Sequence, residues 1–184
     1  MNNAVAINKI YQYTAPINGI PQGNYEPIVP LIAPTKIQVA TFLGGFNPSE
    51  TTAVNFEIGV SNNDKNLFSS LDDKDNKGLA TKINAKHRLF SKKWKGDVFS
   101  NLQFIQENFS PIERLYTIEF DRDWNIGTVF SGQQSYWVSG LKMALPEKGN
   151  LDYQFEKLDY AENFSGNRHL VYGNFKFKKW TIQN

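Results

Sequence analysis

The 184-residue sequence contains no cysteine. Disulfide bonds and thiolate metal sites therefore cannot stabilise the fold, and cysteine usage says nothing about the redox compartment. Long apolar runs are also missing, because the most apolar window, residues 28–46, is interrupted by prolines, lysine and glutamine. A membrane-spanning helix needs about 20 mostly apolar residues. The sequence thus excludes a helical span but does not exclude membrane-spanning strands.

An excess of one charge is missing as well. The chain has 20 basic and 18 acidic residues, a formal net charge of +2 and a pI near 8.6. This balance is too weak a bias to argue for a nucleic acid or an anionic membrane surface as partner. The first 25 residues lack a basic segment followed by an apolar one, so we expect either a cytosolic chain or a missing true start.

Aromatic residues are abundant, at 14% of the chain, with 14 Phe, 8 Tyr and 4 Trp. Aromatic and branched side chains favour a pleated surface, which predicts an all-β fold. Proline is concentrated near the start, where it breaks both helices and ladder pairing. We therefore expect an irregular Pro/Gly-rich arm at residues 1–35 and an antiparallel β domain at residues 36–184.

Alternating apolar and polar residues predict the strands of this domain. In "TTAVNFEIGVSNND", residues 51–64, one side carries Val54, Phe56, Ile58 and Val60, whereas Asn55 and Glu57 lie between them. The predicted strand segments are residues 36–46, 51–61, 79–90, 98–106, 133–145, 151–160 and 169–182. The expected fold is an antiparallel up-and-down meander of about 7–8 strands, either a β-barrel or part of a larger barrel.

Short and long connections alternate along this meander. The turns "NPSE", "SKKWKGD" and "PEKGN" are short, whereas residues 62–78, 107–127 and 161–168 are predicted as loops, with a helical turn at residues 111–115. This asymmetry, together with strands of about 10 residues, is typical of outer-membrane barrels. Aromatic residues near strand ends suit interfacial girdles, although they would equally fill a soluble core: Phe90, Trp94, Tyr136, Trp137 and Trp180.

The segment "QFIQENFSPIERLYTIEFDRDWNI", residues 103–126, carries a resemblance to a known family. It resembles a string that links two barrel strands in very large, uncharacterised outer-membrane β-barrel proteins of Bacteroidota. Residues 68–78 and 160–169 are similar in the same way. The resemblance implies a barrel segment in the outer membrane and carries over no catalytic residues, and the shorter chain without a signal peptide suggests a fragment or a truncated gene. The matching positions are Asn108, Phe109, Pro111, Glu113, Arg114, Glu119, Phe120, Arg122, Asp123, Trp124 and Asn125.

Two acidic stretches are candidate sites. Asp73, Asp75 and Gly78 match the first, third and sixth positions of an EF-hand-like loop, but Lys77 and Asn84 stand where acidic or amide ligands and a bidentate Glu are needed. A solvated acidic loop is therefore favoured over a calcium site.

In "EFDRDWN", strand spacing would place Glu119, Asp121 and Asp123 on one side, with Arg122 opposite. Such carboxylates could act as acid and base only if burial separated their pKa values. An ion-paired cluster with Arg114 or Arg122 is favoured, in which Asp123 and Trp124 anchor the loop.

The remaining candidates indicate no chemistry. His87 and His169 lie in different strands, which favours ordinary strand residues over a metal site. Lys176, Lys178 and Lys179 interleave with aromatic residues, Phe175, Phe177 and Trp180. That pattern could stack single-stranded bases, but a solvated or lumenal cationic face is favoured. No phosphate-binding glycine motif occurs. We therefore expect no catalytic residues, no cofactor, no metal and no nucleic-acid partner.

Two functions follow from these patterns. The first is a structural outer-membrane β-barrel, or a fragment of one, with long surface loops, whose partners are the lipid bilayer and the remainder of a larger barrel. Val54, Phe56, Ile58 and Val60 would then face lipid. The alternative is a soluble β-sandwich or small-barrel binding module, with a glycan as one candidate ligand. A sandwich buries its apolar faces, whereas a membrane barrel presents an apolar band outward.

Overall fold

A computed structural model of the chain describes residues 3–4, 10–11, 13–23, 31–127 and 132–183. It divides into two compact units, residues 1–33 and residues 34–184. The first unit contains two paired antiparallel strands, β1 (Asn3–Ala4) and β2 (Ile10–Tyr11), and an isolated bridge between Ile17 and Ile20. The rest of the predicted arm includes residues 5–9 and 24–30, which lie outside the described residues.

The second unit is built on one eight-stranded antiparallel sheet, in which each strand pairs only with its neighbours along the chain. The predicted all-β, up-and-down meander is thereby confirmed. The sheet is not closed, because the order runs from β10 to β3 without a β3–β10 pair. The strands are β3 (Lys36–Ser49), β4 (Thr52–Asp64), β5 (Lys77–Ser91), β6 (Lys95–Ile105), β7 (Gln134–Leu145), β8 (Gly149–Tyr160), β9 (Phe164–Phe177) and β10 (Trp180–Gln183).

The connections differ between the two ends of the sheet. At one end, the short end, the strands are joined by residues 50–51, 92–94, 146–148 and 178–179. At the other end, the long end, they are joined by residues 65–76, 106–133 and 161–163.

Three details of the prediction are wrong. The supposed loop 161–168 is a three-residue turn, closed by a 2.9 Å bond from Asn163 N to Tyr160 O. The supposed single strand 169–182 is a hairpin, because Lys178 has a φ of 50° and turns the chain back. The only α-helix among the described residues is one turn, α1 (Phe120–Asp123), and not at residues 111–115.

Cross-strand register separates the two faces of the sheet. Phe56, Ile83, Leu102 and Trp137 are successive Cα partners across β4 to β7, so they lie side by side on one face, here called the apolar face. The adjacent row on the opposite, polar face begins with Asn55, Asn84 and Asn101. Because alternate residues point to opposite faces, Val54, Ile58 and Val60 share the apolar face with Phe56.

The apolar face lacks cover within the described residues. Phe42 is 64% exposed, Phe56 42%, Leu102 45% and Val171 50%. The buried apolar residues lie elsewhere: Ile105 and Leu158 belong to the polar face by register, and Phe120 and Trp124 belong to the β6–β7 connection. The core of this unit therefore forms on the polar face of the sheet.

Charged side chains are distributed unequally between the faces. On the polar face they occur along the strands, for example at Glu57, Lys82, Arg88 and Asp97. Among the described residues of the apolar face, the charged side chains are Lys36, Asp64 and Lys77 at the long end of β3 to β5, and Lys157 and Asp159 on β8, in the rows that contain Phe56 and Ile58. The rest of that face carries no formal charge. No helix in the described part of the chain has the length and apolar character to cross a membrane.

Candidate functional site

The candidate site is the polar face where the β6–β7 connection, residues 106–133, lies against it. The connection first crosses β4 and β5. The Phe109 ring comes within 3.4 Å of the place where a Cβ on Gly59 would stand, and the Phe109 backbone occupies the space of a Cβ on Gly78. Two bonds hold it there: Ser110 N donates to Ser61 Oγ (3.0 Å), and Asn63 Nδ2 donates to Ser110 Oγ (2.9 Å).

Further along, the connection adds an aromatic cluster to the sheet. Tyr116 stacks on Phe120 with ring centres 4.0 Å apart. Phe120 and Trp124 meet the Tyr136 ring edge to face at 5.5 and 6.0 Å. Beneath them Leu158 is fully buried. Such aromatic contacts stabilise by about 1 kcal/mol each beyond the area that they bury, so the cluster fixes the connection to the sheet.

A buried ion pair lies beside this cluster. Glu156 on β8 is 2% exposed, and Arg168 Nε on β9 donates to its Oε2 at 2.8 Å. Tyr136 Oη donates to the same oxygen at 2.7 Å, and Gln154 Nε2 donates to Oε1. The carboxylate thus has a donor on both oxygens, which is the condition under which a buried charge is tolerated.

Arg168 also joins the sheet to the connection. Its guanidinium lies 4.6 Å from the Trp124 ring centre, and its Nη1 donates to the main-chain oxygen of Asp123 at 3.3 Å. One side chain therefore contacts a carboxylate on the sheet, an aromatic ring and a helix-end carbonyl. Trp124 Nε1 is buried without a hydrogen-bond partner in the described structure, so packing and the cation–π contact hold this indole.

Tyr116 joins the connection to the start of β7. Gln134 Nε2, at the beginning of β7, donates to Tyr116 Oη at 2.8 Å. Burial raises the pKa of Tyr116 well above its ordinary value near 10, and the nearby Tyr160 and Tyr136 hydroxyls act in the same direction. The phenol is therefore neutral wherever the connection is packed at ordinary pH.

Away from the connection the polar face is open and hydrophilic. Asp97 bridges Lys86 (3.1 Å) and Arg88 (3.2 Å), and charges of opposite sign continue across the sheet at Lys142 and Asp152. A cavity of about 410 Å³ adjoins this row near the short end, and its lining includes Asn55, Asn84, Asn101 and Gln154. This part of the polar face can solvate ions or hydrogen-bond polar ligands. The described residues of the cavity lining include no histidine that could act as a base, and no cysteine, serine or threonine that could act as a nucleophile.

The acidic loop lacks the geometry of a calcium site. Asp73–Asp75 is a single 3₁₀ turn, and the Asp73 carboxylate accepts a 3.0 Å bond from Asn76 Nδ2. Gly78 and Asn84 both lie in β5, on the polar face of the sheet. The loop therefore ends before Asn84, which would be the twelfth position of an EF-hand-like loop that begins at Asp73. Across the part of the chain that is described, no three His, Asp or Glu side chains lie close enough to hold a metal ion.

The "EFDRDWN" residues do not form a strand. They form α1 and its flanks, so Glu119, Asp121 and Asp123 do not share one side, and the strand-spacing prediction is wrong. Of the favoured ion-paired cluster, the structure confirms one pair, since Arg122 Nη1 lies 2.7 Å from Glu119 Oε2. The predicted anchor at Asp123 and Trp124 is also present, although Asp123 contributes its main-chain oxygen.

The histidines are ordinary strand residues. His87 Nδ1 lies 2.7 Å from Thr52 Oγ1, and His169 Nδ1 lies 2.8 Å from Tyr153 Oη. They stand on β5 and β9, four strands apart, which is about 19 Å at the usual strand spacing. The structure therefore does not bring them together.

The lysines of "FKFKKW" are not interleaved on one strand. Lys176 belongs to β9, whereas Lys178 and Lys179 form the turn before β10.

Sequence reasoning missed the Glu156–Arg168 pair. Both residues stand six positions from Glu162, the centre of the β8–β9 turn, and are Cα partners in the hairpin. The symmetric spacing is visible in the sequence, but the loop expected at residues 161–168 hides it.

No protein-family model matches the chain, and comparisons with curated proteins and with solved structures also give no match.

Proposed function

We propose that the chain is a non-catalytic wall segment of a membrane β-barrel, with an outer membrane as its location. The apolar face lies against lipid and the polar face lines a water-filled lumen. Residues 106–127 fold inward against the lumenal wall. The observation that carries this proposal is that the connection covers the polar face and leaves the apolar face exposed.

The energetics favour this orientation over a soluble one. In water the sheet would bury its apolar face first, because burial of a Phe or Ile side chain stabilises by about 2 kcal/mol. Here the connection packs instead on the face that carries Glu57, Lys82 and Glu156. A lipid environment removes the penalty of leaving Phe56 and Ile83 uncovered, and the rows from Val54 to Val60 carry no formal charge across β3 to β7, as a hydrocarbon layer requires.

The length of the apolar stretch on β4 also suits a membrane barrel. Val54 to Val60 on β4 covers six intervals, about 20 Å along the strand. Outer-membrane barrels present an apolar band about 25 Å tall. Trp137 and Tyr153 lie on the same face.

The open edges of the sheet support a proposed partner. Among the described strands, β3 has a neighbour on one side only, and β9 is covered beyond β8 only by the four residues of β10. Unpaired backbone groups are costly in hydrocarbon, so membrane sheets close. The remainder of a larger barrel, supplying strands to both edges, satisfies this need.

The second candidate is a soluble module that binds a polar ligand such as a glycan. The row Asn55, Asn84 and Asn101 beside the 410 Å³ cavity supports it, because side-chain amides suit hydroxyl recognition. It requires the apolar face to be covered by something else.

An environment-sensitive probe tests the proposal directly. Because the chain has no cysteine, one introduced cysteine labels one position. We expect a fluorophore at Phe56→Cys or Ile58→Cys in lipid vesicles to emit as in hydrocarbon, and the same label at Asn55→Cys or Glu57→Cys to emit as in water. A chain that is monodisperse without detergent, with water-like emission at all four positions, would contradict the proposal and favour the binding module.

A further inference from the structure

The same tripeptide, Lys-Lys-Trp, occurs twice at the short end of the sheet. Residues 92–94 form the β5–β6 connection, and residues 178–180 form the β9–β10 turn and the start of β10. Trp94 is 46% exposed and Trp180 is 76% exposed. Each hairpin therefore presents two ammonium groups and an indole at the same end of the sheet.

A basic groove lies at the second of these turns. A cavity of about 570 Å³ is lined by Lys148, Lys176, Lys178, Lys179 and Trp180, and the described part of that lining contains no carboxylate. Lys148 comes from the β7–β8 turn, which lies between the two Lys-Lys-Trp turns. Within the described residues none of these four lysines forms a salt bridge, so their charges are available to an external anion.

The balanced total charge conceals a separation between the two ends. Among the connections of the short end, the acidic residues are Glu50 and Glu147, against five lysines: Lys92, Lys93, Lys148, Lys178 and Lys179. In the described connections of the long end, carboxylates outnumber the basic residues Lys65, Lys74, Arg114 and Arg122. These carboxylates are Asp72, Asp73, Asp75, Glu107, Glu113, Glu119, Asp121, Asp123 and Glu162.

We propose that the short end binds the phosphate-bearing head groups of anionic phospholipids through its two Lys-Lys-Trp turns and Lys148. The placement at a bilayer interface rests on the proposed function. Trp180 and Ile182 belong to the apolar face by register, so the basic groove adjoins the surface assigned to lipid chains. Indole rings and lysine stems are favoured at that depth, with the ammonium groups toward the phosphates.

The spacing of the turns favours a lipid surface over a small anion. The two Lys-Lys-Trp turns are four strands apart, about 19 Å at the usual spacing. One phosphate group cannot contact both turns, whereas a leaflet presents head groups along the whole edge.

The test uses the full chain in neutral detergent, titrated with mixed micelles that contain phosphatidylglycerol and followed by tryptophan emission. The variant is Lys178→Gln/Lys179→Gln. Its matched control is Lys65→Gln/Lys74→Gln, which removes the same charge from the long end. Each lysine at an anionic surface changes affinity about fivefold, so we expect about 25-fold weaker binding for the variant and little change for the control.

Three comparisons decide the outcome. Phosphatidylcholine micelles carry phosphate without net charge and should bind far more weakly, and added salt should reduce the difference. Equal binding of both lipids, or equal losses in variant and control, would overturn the proposal. So would tighter binding of inorganic phosphate or a single-stranded oligonucleotide that is lost in the same variant.

A separate readout distinguishes this proposal from the proposed function. The fraction of chain that resists alkaline extraction from vesicles reports insertion. Insertion without lipid selectivity would overturn only the head-group proposal. Lysine-dependent binding of phosphatidylglycerol vesicles without insertion would support the head-group proposal and contradict the barrel.

Discussion

Arg168 donates a 2.8 Å hydrogen bond to Glu156 from the neighbouring strand, at the point where the β6–β7 connection meets the sheet. Glu156 is almost fully buried, and the Arg168 guanidinium also lies over the Trp124 ring. The pair therefore belongs both to the sheet and to the attachment of the connection.

Removing Arg168 should destabilise the protein strongly. Arg168→Met leaves Glu156 buried without its cation, and breaking such a pair typically costs about 3 kcal/mol. Urea unfolding followed by tryptophan fluorescence measures the loss. The control, Arg122→Met, breaks the exposed pair with Glu119 and should cost at most about 1 kcal/mol.

The double variant Glu156→Gln/Arg168→Met provides an internal check. It removes the isolated charge and should recover part of the stability lost in Arg168→Met. Additive losses from the two substitutions would show that the pair does not act as a unit.

Gly78 should be intolerant of a side chain. In Gly78→Ala the new methyl group would overlap the backbone of Phe109, and such overpacking costs about 1–3 kcal/mol. We expect a lower unfolding midpoint and faster proteolysis of residues 106–127. Gly127→Ala is the matched control, because among the described residues no atom beyond its chain neighbours lies within 4 Å of its added Cβ. Equal behaviour of the two variants would argue against this close approach.

An added positive charge should affect stability differently on the two faces of β4. Ile58→Arg places a cation on the apolar face, where lipid would impose about 2–4 kcal/mol near the midplane. Asn55→Arg places the same cation on the polar face and should be nearly neutral. Unfolding in lipid vesicles measures both. A harmless Ile58→Arg would indicate that this face meets water.

Tyr116 should contribute a dependence on alkaline pH. Its folded pKa is raised above the unfolded value near 10, so its stabilising contribution is present below pH 10 and is lost as the pH rises above it. Tyr116→Phe loses the bond from Gln134, about 1 kcal/mol at neutral pH. Above pH 10 the stability of the wild type should fall more steeply than that of the variant. Parallel unfolding curves across that range would contradict the assignment.

The strands were predictable because their two faces differ in chemistry. The alternation at Val54, Phe56, Ile58 and Val60 reports one apolar side, and β4 has that side in the structure. Turn positions were harder to locate. Ala161 adopts a left-handed conformation at φ 42°, and Lys178 does so at φ 50°, although neither is glycine or asparagine. The β9–β10 turn, residues 178–179, contains none of the residues that normally mark a turn. The β8–β9 turn contains one, Asn163, but further turn-type residues, Gly166 and Asn167, lie within β9.

The candidate site was less accessible to sequence reasoning. Phe109, Phe120 and Trp124 belong to one distinctive segment of the sequence, but nothing local to that segment indicates which face of the sheet it covers. That choice depends on contacts with Gly78, Tyr136 and Leu158, which are remote in the chain. Phe120 and Trp124 also lie in a helical turn, where the two-residue period of strand reasoning does not apply.

The pairing of each sheet strand only with its chain neighbours has a consequence for how such a protein can evolve. A hairpin such as β7–β8 can be duplicated or lost in a gene without changing the order of the other strands. The strands on either side then pair with another antiparallel strand edge, as they did before. Lineages carrying this architecture should therefore vary in length by pairs of strands. Glu156 and Arg168, which lie six positions on either side of Glu162, would then be duplicated or lost together, since both residues belong to one hairpin.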